Sequence, residues 1–166
     1  MANKKKSKFK KIIFISPRNP FSGRFSGDVI RAKKFLESFN KKYKVTVVAL
    51  DKNNLKKRIG NIELITFEEK KLFYKILSIL KSLLKIRPIQ MGYFYSNKME
   101  DYIVKNFKNF DVAFCQSVRA AQYVQTLKFK KKILDMGDLY SKNYYQTFSY
   151  ASFLNPIKYI YFFESI

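Results

Sequence analysis

The order of the apolar segments constrains this chain most: short β-branched runs alternate with longer stretches at helical spacing. Ile12-Ile13-Phe14-Ile15 ends at Ser16-Pro17. A run that is apolar at every position suits a parallel strand buried on both faces. A loop over 17–27 follows, with two prolines and two glycines. Val29, Ile30, Ala32, Phe35, Leu36 and Phe39 then recur at helical spacing. Asp28 stands where a carboxylate meets the helix dipole, at the N-cap or in the first turn. Residues 45–50 form a second apolar strand. Strand, glycine-containing loop, helix, strand is a βαβ unit, the opening of an α/β fold.

The alternation continues. The pattern predicts a polar linker over 51–60, a short strand over 61–67 and a strong helix over 68–86 closed by Arg87-Pro88. Residues 91–95 are ambiguous. Ser96 is placed to cap a helix over 97–107. A strand over 111–115, a helix over 118–127 and a strand over 132–135 follow. A helix rich in Tyr and Phe starts at Leu139, and Pro156 starts the last one. The expected fold is α/β and Rossmann-like: a mostly parallel sheet with helices on both faces, over 12–166, behind a basic flexible N-terminus over 1–11. Ligands of such folds sit outside the carboxyl ends of the strands. Three loops leave those ends with unusual residues, over 16–28, 116–119 and 135–142.

Composition excludes several chemistries. The 166 residues suit one domain, and a 47% hydrophobic content can bury a core. There is no histidine, so no His base, His metal ligand or His-containing triad exists in this sequence. Cys115 is the one cysteine, which excludes an intrachain disulfide and a cysteine zinc site. It lies in an apolar strand and reads as a small buried hydrophobe. No stretch reaches the roughly 18–20 apolar residues of a membrane span, and residues 12–15 are too short for a signal-peptide core. With 34 Lys+Arg against 12 Asp+Glu, the net charge is +22. That excess fits nucleic acid, an anionic membrane or a phosphorylated ligand; it also fits a bias toward Lys-rich coding. The lysines are spread along the chain and no nucleic-acid motif is present, so no specific nucleic-acid partner is expected.

The candidate sites follow from the loops. Ser22-Gly23-Arg24-Phe25-Ser26-Gly27-Asp28, with Arg31 one turn later, joins glycines that let a ligand approach to a helix N-terminus. The spacing matches neither a dinucleotide fingerprint nor a Walker A loop. The alternative is a turn whose glycines serve only the backbone. Asp135-Met136-Gly137-Asp138-Leu139-Tyr140-Ser141-Lys142 places two acids around a glycine at a strand end. These suit a hydroxyl acceptor better than a metal, because a third ligand is lacking; Asp138 is equally suited to capping the next helix. The segment 70–85 is amphipathic with an all-basic charge. It reads either as an interfacial helix with Lys71, Lys75, Lys81 and Lys85 toward anionic lipid or as a sheet-covering helix with a Lys-rich solvent face. Tyr144, Tyr145, Tyr150, Tyr159 and Tyr161 read as packing residues.

Three stretches carry a family resemblance. They are Gly27-Asp28-Val29-Ile30-Arg31 with the helix and strand after it, Phe110-Asp111-Val112-Ala113-Phe114 with Ala121-Gln122-Tyr123-Val124, and the turn from Asp135 to Lys142. In order and spacing the chain resembles the N-terminal half of family 4 glycosyltransferases of the GT-B type, in the group that builds bacterial exopolysaccharides. The resemblance implies transfer of a sugar from a nucleotide-sugar co-substrate to a hydroxyl of a glycan or lipid-linked acceptor, in cell-surface polysaccharide synthesis. No other cofactor and no metal is implied. Asp28 and Asp138 become acceptor contacts. Gly23, Arg24, Gly27, Arg31, Gln116, Ser117, Asp135 and Ser141 become substrate-binding positions. Many members carry a histidine after the fourth strand, where Gln116-Ser117 stands here. The donor-binding C-terminal domain is absent from this sequence, so the chain is expected to be a fragment or one subunit of a split enzyme, inactive alone. A cytoplasmic location is expected, peripheral at the inner face of the plasma membrane. The competing expectation is a non-catalytic subunit that docks a donor-binding partner on the membrane.

Overall fold

A computed structural model of the chain describes residues 10–84, 88–137, 140–155 and 157–165. Most of the expected basic N-terminus lies outside the described residues, as do the expected helix boundaries at Arg87, Leu139 and Pro156. The chain divides into two compact units, Met1–Glu69 with Ser96–Asp135 and Lys70–Tyr95 with Met136–Ile166.

The first unit carries a six-stranded sheet. Its strands are β1 (Lys11–Ser16), β2 (Lys44–Asp51), β3 (Leu55–Ile59), β4 (Ile62–Glu68), β5 (Val112–Gln116) and β6 (Lys131–Asp135), in spatial order β3-β4-β2-β1-β5-β6. All neighbours pair in parallel except β3 with β4. This is an α/β fold with a mostly parallel sheet, consistent with a Rossmann-like architecture. β1 is central because its apolar run can be buried on both faces: Ile13, Phe14 and Ile15 are fully buried.

Helices cover both faces of this sheet. Helix α1 (Gly27–Asn40) sets Ala32 and Leu36 against Phe14, Val45, Val47, Leu64 and Phe114. Phe114 is the hub of an aromatic cluster, with ring centroids 5.0 Å from Phe14, 5.0 Å from Phe35 and 5.2 Å from Phe39. Successive side chains of a strand point to opposite faces, so Thr46, Val48, Glu63, Ile65 and Phe67 face away from α1. The helix Asn97–Asn106, α4, covers that side. Its Met99 and Ile103 are fully buried, and its Tyr102 ring lies 5.7 Å from Phe67.

The second unit is helical: α2 (Leu72–Leu84), α3 (Ile89–Tyr93), α6 (Tyr140–Tyr150) and α7 (Ile157–Ser165). The buried Glu164 carboxylate accepts the N–H groups of Ile89 and Gln90 at the start of α3. Tyr144 stacks on Tyr161 at 5.8 Å and Phe148 meets Phe162 at 5.1 Å, which joins α6 to α7. Tyr145, Tyr150 and Tyr159 are exposed, unlike the packing expected of them.

Two elements differ from expectation. Residues 51–60 are not only a linker, because β3 forms a hairpin with β4 across a turn begun by Gly60 at φ +59°. Lys56, Lys57 and Arg58 gave no apolar alternation; charged residues of this kind suit an edge strand. The expected helix over 118–127 is a single helical turn, α5 (Val118–Ala121), continued by turns. There Tyr123, Val124 and Leu127 donate to carbonyls three residues back. The spacing of Ala120, Tyr123 and Val124 still buries all three.

Asp111 ties three strand entries together. Its carboxylate accepts the N–H groups of Lys10 and Lys11 at 3.1 and 3.2 Å and pairs with Lys130 at 2.5 Å. The Lys130 ammonium first, then the two N–H groups, outweigh slight desolvation and hold the carboxyl at about 2. An unfolded aspartate titrates near about 3.9. The folded value is the lower one, so this contribution is complete above about pH 4 and is lost as pH falls toward about 2. Asp111→Asn is therefore expected to flatten the acid limb of the stability curve between those values, measured by urea unfolding at stepped pH. An unchanged slope would show that the clamp adds nothing to folding.

Candidate functional site

The sheet order reverses at β1: β2 lies on one side and β5 on the other. A crevice opens outside the carboxyl ends of the strands at such a point. Ser16 ends β1, Gln116 ends β5, Asp135 ends β6, and α1 begins across the opening with Gly27 and Asp28.

A polar network spans this point. Ser16 Oγ lies 2.6 Å from Gln116 Oε1 and 2.6 Å from the Arg18 carbonyl oxygen, and its single hydrogen serves one at a time. Gln116 Nε2 donates to the Asp28 carbonyl oxygen at 2.5 Å. The buried Gln116 side chain thus bridges β1, β5 and the start of α1. Arg31 grips Asp135 in a two-point pair, Nε to Oδ2 at 2.9 Å and Nη2 to Oδ1 at 2.5 Å. The Asp135 side chain is 8% exposed and that of Arg31 48%. This pair fixes the second turn of α1 to the end of β6.

Asp28 sits in the first turn of α1, and Ser26 takes the N-cap position. The Ser26 hydroxyl makes no bond to the helix backbone; it donates instead to Asp28 Oδ1 at 2.5 Å. Val29 N–H also donates to Oδ1, at 3.0 Å, and Arg18 Nη1 donates to Oδ2 at 3.2 Å. Desolvation pushes the carboxyl up, but the Ser26 hydroxyl, the Arg18 charge and the Val29 N–H together outweigh it and leave it below the ordinary aspartate value. Asp28 is therefore ionised at neutral pH. A carboxylate offers about four lone-pair sites. Two on Oδ1 and one on Oδ2 are occupied by these bonds, which leaves one acceptor position on Oδ2.

The loop before α1 is open. Gly23 has φ +77°, and a Cβ at Gly23 or Gly27 would meet nothing within 4 Å. Arg24 is exposed, and Phe25 is 93% exposed. On the other rim Ser117 adopts φ 72° and ψ 165°, a region costly for a residue with a side chain. Its N–H donates to the Asp135 carbonyl at 2.9 Å, and its buried hydroxyl has no hydrogen-bond partner.

Of the residues singled out from sequence, Asp28, Arg31, Gln116, Ser117 and Asp135 come together at this point. Gly23, Arg24 and Gly27 lie on the loop that leads into it. Gln116 and Asp135 are occupied in holding the frame. Asp138 and Lys85 lie outside the described residues, as do the side chains of Lys81 and Ser141. Ser16 and Arg18 were missed; the one cue was Ser16-Pro17 at a strand end, since Arg18 reaches its partner only through the loop. Cys115 is buried in β5, and desolvation pushes its thiol up to about 12. Among the described residues no group of three or more His, Cys, Asp or Glu could hold a metal ion.

In the second unit, Lys71 is exposed, but Lys75 is not on an outer face. It is buried, with its ammonium 4.2 Å from the centre of the Tyr93 ring. Among the described residues of α2 the exposed side chains include the apolar Leu72, Phe73, Ile76, Leu77, Leu80 and Leu84, with Tyr74. Among the described residues no helix is long and apolar enough to cross a membrane.

No family model, curated protein or solved structure matches this chain.

The Arg31–Asp135 pair leads to a stability prediction. Arg31→Ala leaves a buried carboxylate without its charged partner, a change that costs about 2–3 kcal/mol. Chemical denaturation is expected to show this loss, and a loss below about 0.5 kcal/mol would mean that water replaces the guanidinium freely.

Proposed function

We propose that this chain is the acceptor-side module of a glycosyltransferase that moves a sugar from a nucleotide-sugar to a hydroxyl of a glycan or lipid-linked acceptor. The observation that carries the reading is the ionised Asp28 at the topological switch point, with one free acceptor position, beside an open glycine loop. An acceptor hydroxyl donates to Asp28 Oδ2 and is oriented by it. Asp28 is a weak base because its bonds favour the charged form, so it positions the hydroxyl and does not abstract its proton. The donor's own phosphate is the better proton acceptor, as the resemblance to retaining family 4 enzymes implies. Gly23 and Gly27 leave room for the substrates, and the α1 N-terminus together with Arg24 favours their negative charge. The nucleotide-sugar belongs to a second Rossmann-like domain, in the same polypeptide or in a partner chain.

In the enzyme that joins this module to its donor domain, Asp28→Asn is expected to lower kcat/KM at least about tenfold, with the thermal midpoint recorded alongside. Asp138→Asn is the parallel variant, on the sequence resemblance alone. Unchanged rates in both would remove these residues from the mechanism.

A peripheral membrane location is the companion reading, and the exposed apolar residues of α2 favour it. No acidic residue occurs between Lys70 and Tyr95. An apolar helix face in a segment charged only with Lys and Arg suits the interface of an anionic bilayer. The protein is expected to sediment with phosphatidylglycerol-containing vesicles and not with neutral ones, and Ile76→Asp with Leu80→Asp is expected to abolish this. Equal sedimentation with both kinds of vesicle would refute the electrostatic version.

A further inference from the structure

A concave surface lies at the end of the sheet opposite the switch point. It is a groove of about 880 Å³ lined by the first residues of β1 and β2, by β3 and the start of β4, and by the last turn of α4 with the residues after it. Lys11 and Ser16 are five residues apart along β1, so the groove is about 16 Å from the switch point. It owes nothing to the glycosyl-transfer reading.

Its charge is one-sided. Among the described residues, Lys11, Lys44, Lys56 and Arg58 line it on the α4 side of the sheet against one acid, Glu63, while Lys57, the partner of Leu64, alternates to the other face. Glu63 is already engaged, by Lys56 at 3.3 Å and by the Thr46 hydroxyl at 3.3 Å. Lys11 and Lys44 are direct register partners on adjacent parallel strands. Neighbouring strands are about 4.8 Å apart, and like charges side by side on them repel. Arg58 spends its Nε–H on the Gly60 carbonyl at 3.1 Å, which steadies the guanidinium and leaves its other N–H groups for a ligand.

The cations are held on different elements around a concavity, where field lines from one sign of charge concentrate. A Lys-rich coding bias scatters charge over convex surface; it does not account for a groove with amide donors set among its cations. Asn61 supplies one such donor, Asn106 keeps one amide hydrogen after giving the other to the Tyr102 carbonyl oxygen at 2.8 Å, and Tyr102 forms part of the wall. Ammonium and guanidinium groups with amide donors are the set that recognises phosphate oxygens. The volume lies in the range of small-ligand sites.

We propose that this groove binds a multiply phosphorylated ligand, with Lys11, Lys44 and Arg58 as the charged contacts and Asn61 and Asn106 as hydrogen-bond donors. Clustered phosphates occur both in free compounds and on phosphorylated lipid headgroups, and the groove's chemistry is the same for either.

Calorimetry with inorganic tripolyphosphate and sedimentation with vesicles carrying phosphatidylinositol bisphosphate test the two sources on the same full chain. The triple variant Lys11→Gln, Lys44→Gln, Arg58→Gln is compared with Lys34→Gln, Lys52→Gln, Lys98→Gln. The second set loses the same charge from exposed sites outside the groove. Thermal melts of both sets verify folding. The groove variant is expected to weaken binding at least about tenfold and the control less than about threefold, since localised charge-assisted bonds are lost in one and diffuse attraction in the other. That result with tripolyphosphate points to a free ligand, and with vesicles alone to a headgroup; either supports the site. Equal weakening in both variants, or no binding of either probe at matched ionic strength, overturns it. Tighter, groove-dependent binding of a single-stranded RNA oligonucleotide also overturns it, in favour of a nucleic-acid surface.

Discussion

The parallel pairing of β1, with β2 along one edge and β5 along the other, is the constraint on which the first unit depends. It requires a strand that is apolar toward both faces, and residues 12–15 supply one. Because the chain leaves β1 toward β2 and returns later to its other edge, the strand order must reverse there. The start of α1 and the ends of β1, β5 and β6 then meet at one place. The Phe14–Phe114 stack sits on the same pairing, in register across β1 and β5. Core and candidate site are thus two consequences of one strand arrangement.

Acidic residues are scarce in this protein, 12 against 34 basic ones, and several of them are placed where they organise structure. Asp111 closes the amino ends of the strands around Lys10, Lys11 and Lys130. Asp135 anchors α1 through Arg31, and Glu164 caps α3. Asp28 differs because its hydrogen bonds keep it charged without exhausting its acceptor capacity, so it can accept one further hydrogen bond. The cationic groove is the complementary case, a place where, among the described residues, several cations converge on one acid, Glu63, which Lys56 already pairs.

The architecture was largely legible in the residues. The βαβ opening, the five parallel strands and the helices α1, α2 and α4 follow from hydrophobic period, which reports how many faces of an element are buried. β3 was not legible, because an edge strand with Lys56-Lys57-Arg58 carries no burial pattern. The helix expected over 118–127 failed for a related reason. Ala120, Tyr123 and Val124 are spaced as on a helix, and tight three-residue turns bury the same positions. Lys75 was misplaced because sequence periodicity assigns lysine to solvent, whereas an aromatic ring nearby in the fold can take its charge.

The candidate site divides along the same line. Residue types and order by themselves determined that Asp28 opens a helix after a glycine loop, that no histidine chemistry is available, and that Asp135 ends a strand. These depend on local spacing and composition. Only the tertiary structure decided that Arg31 meets Asp135 across 104 positions and that Ser16 meets Gln116 across 100. It also decided that Lys11 stands beside Lys44 in a shared groove. Such contacts depend on which strand lies beside which, and the free energy that chooses among strand orders comes from burying whole faces of the sheet, a property no single segment of the chain possesses.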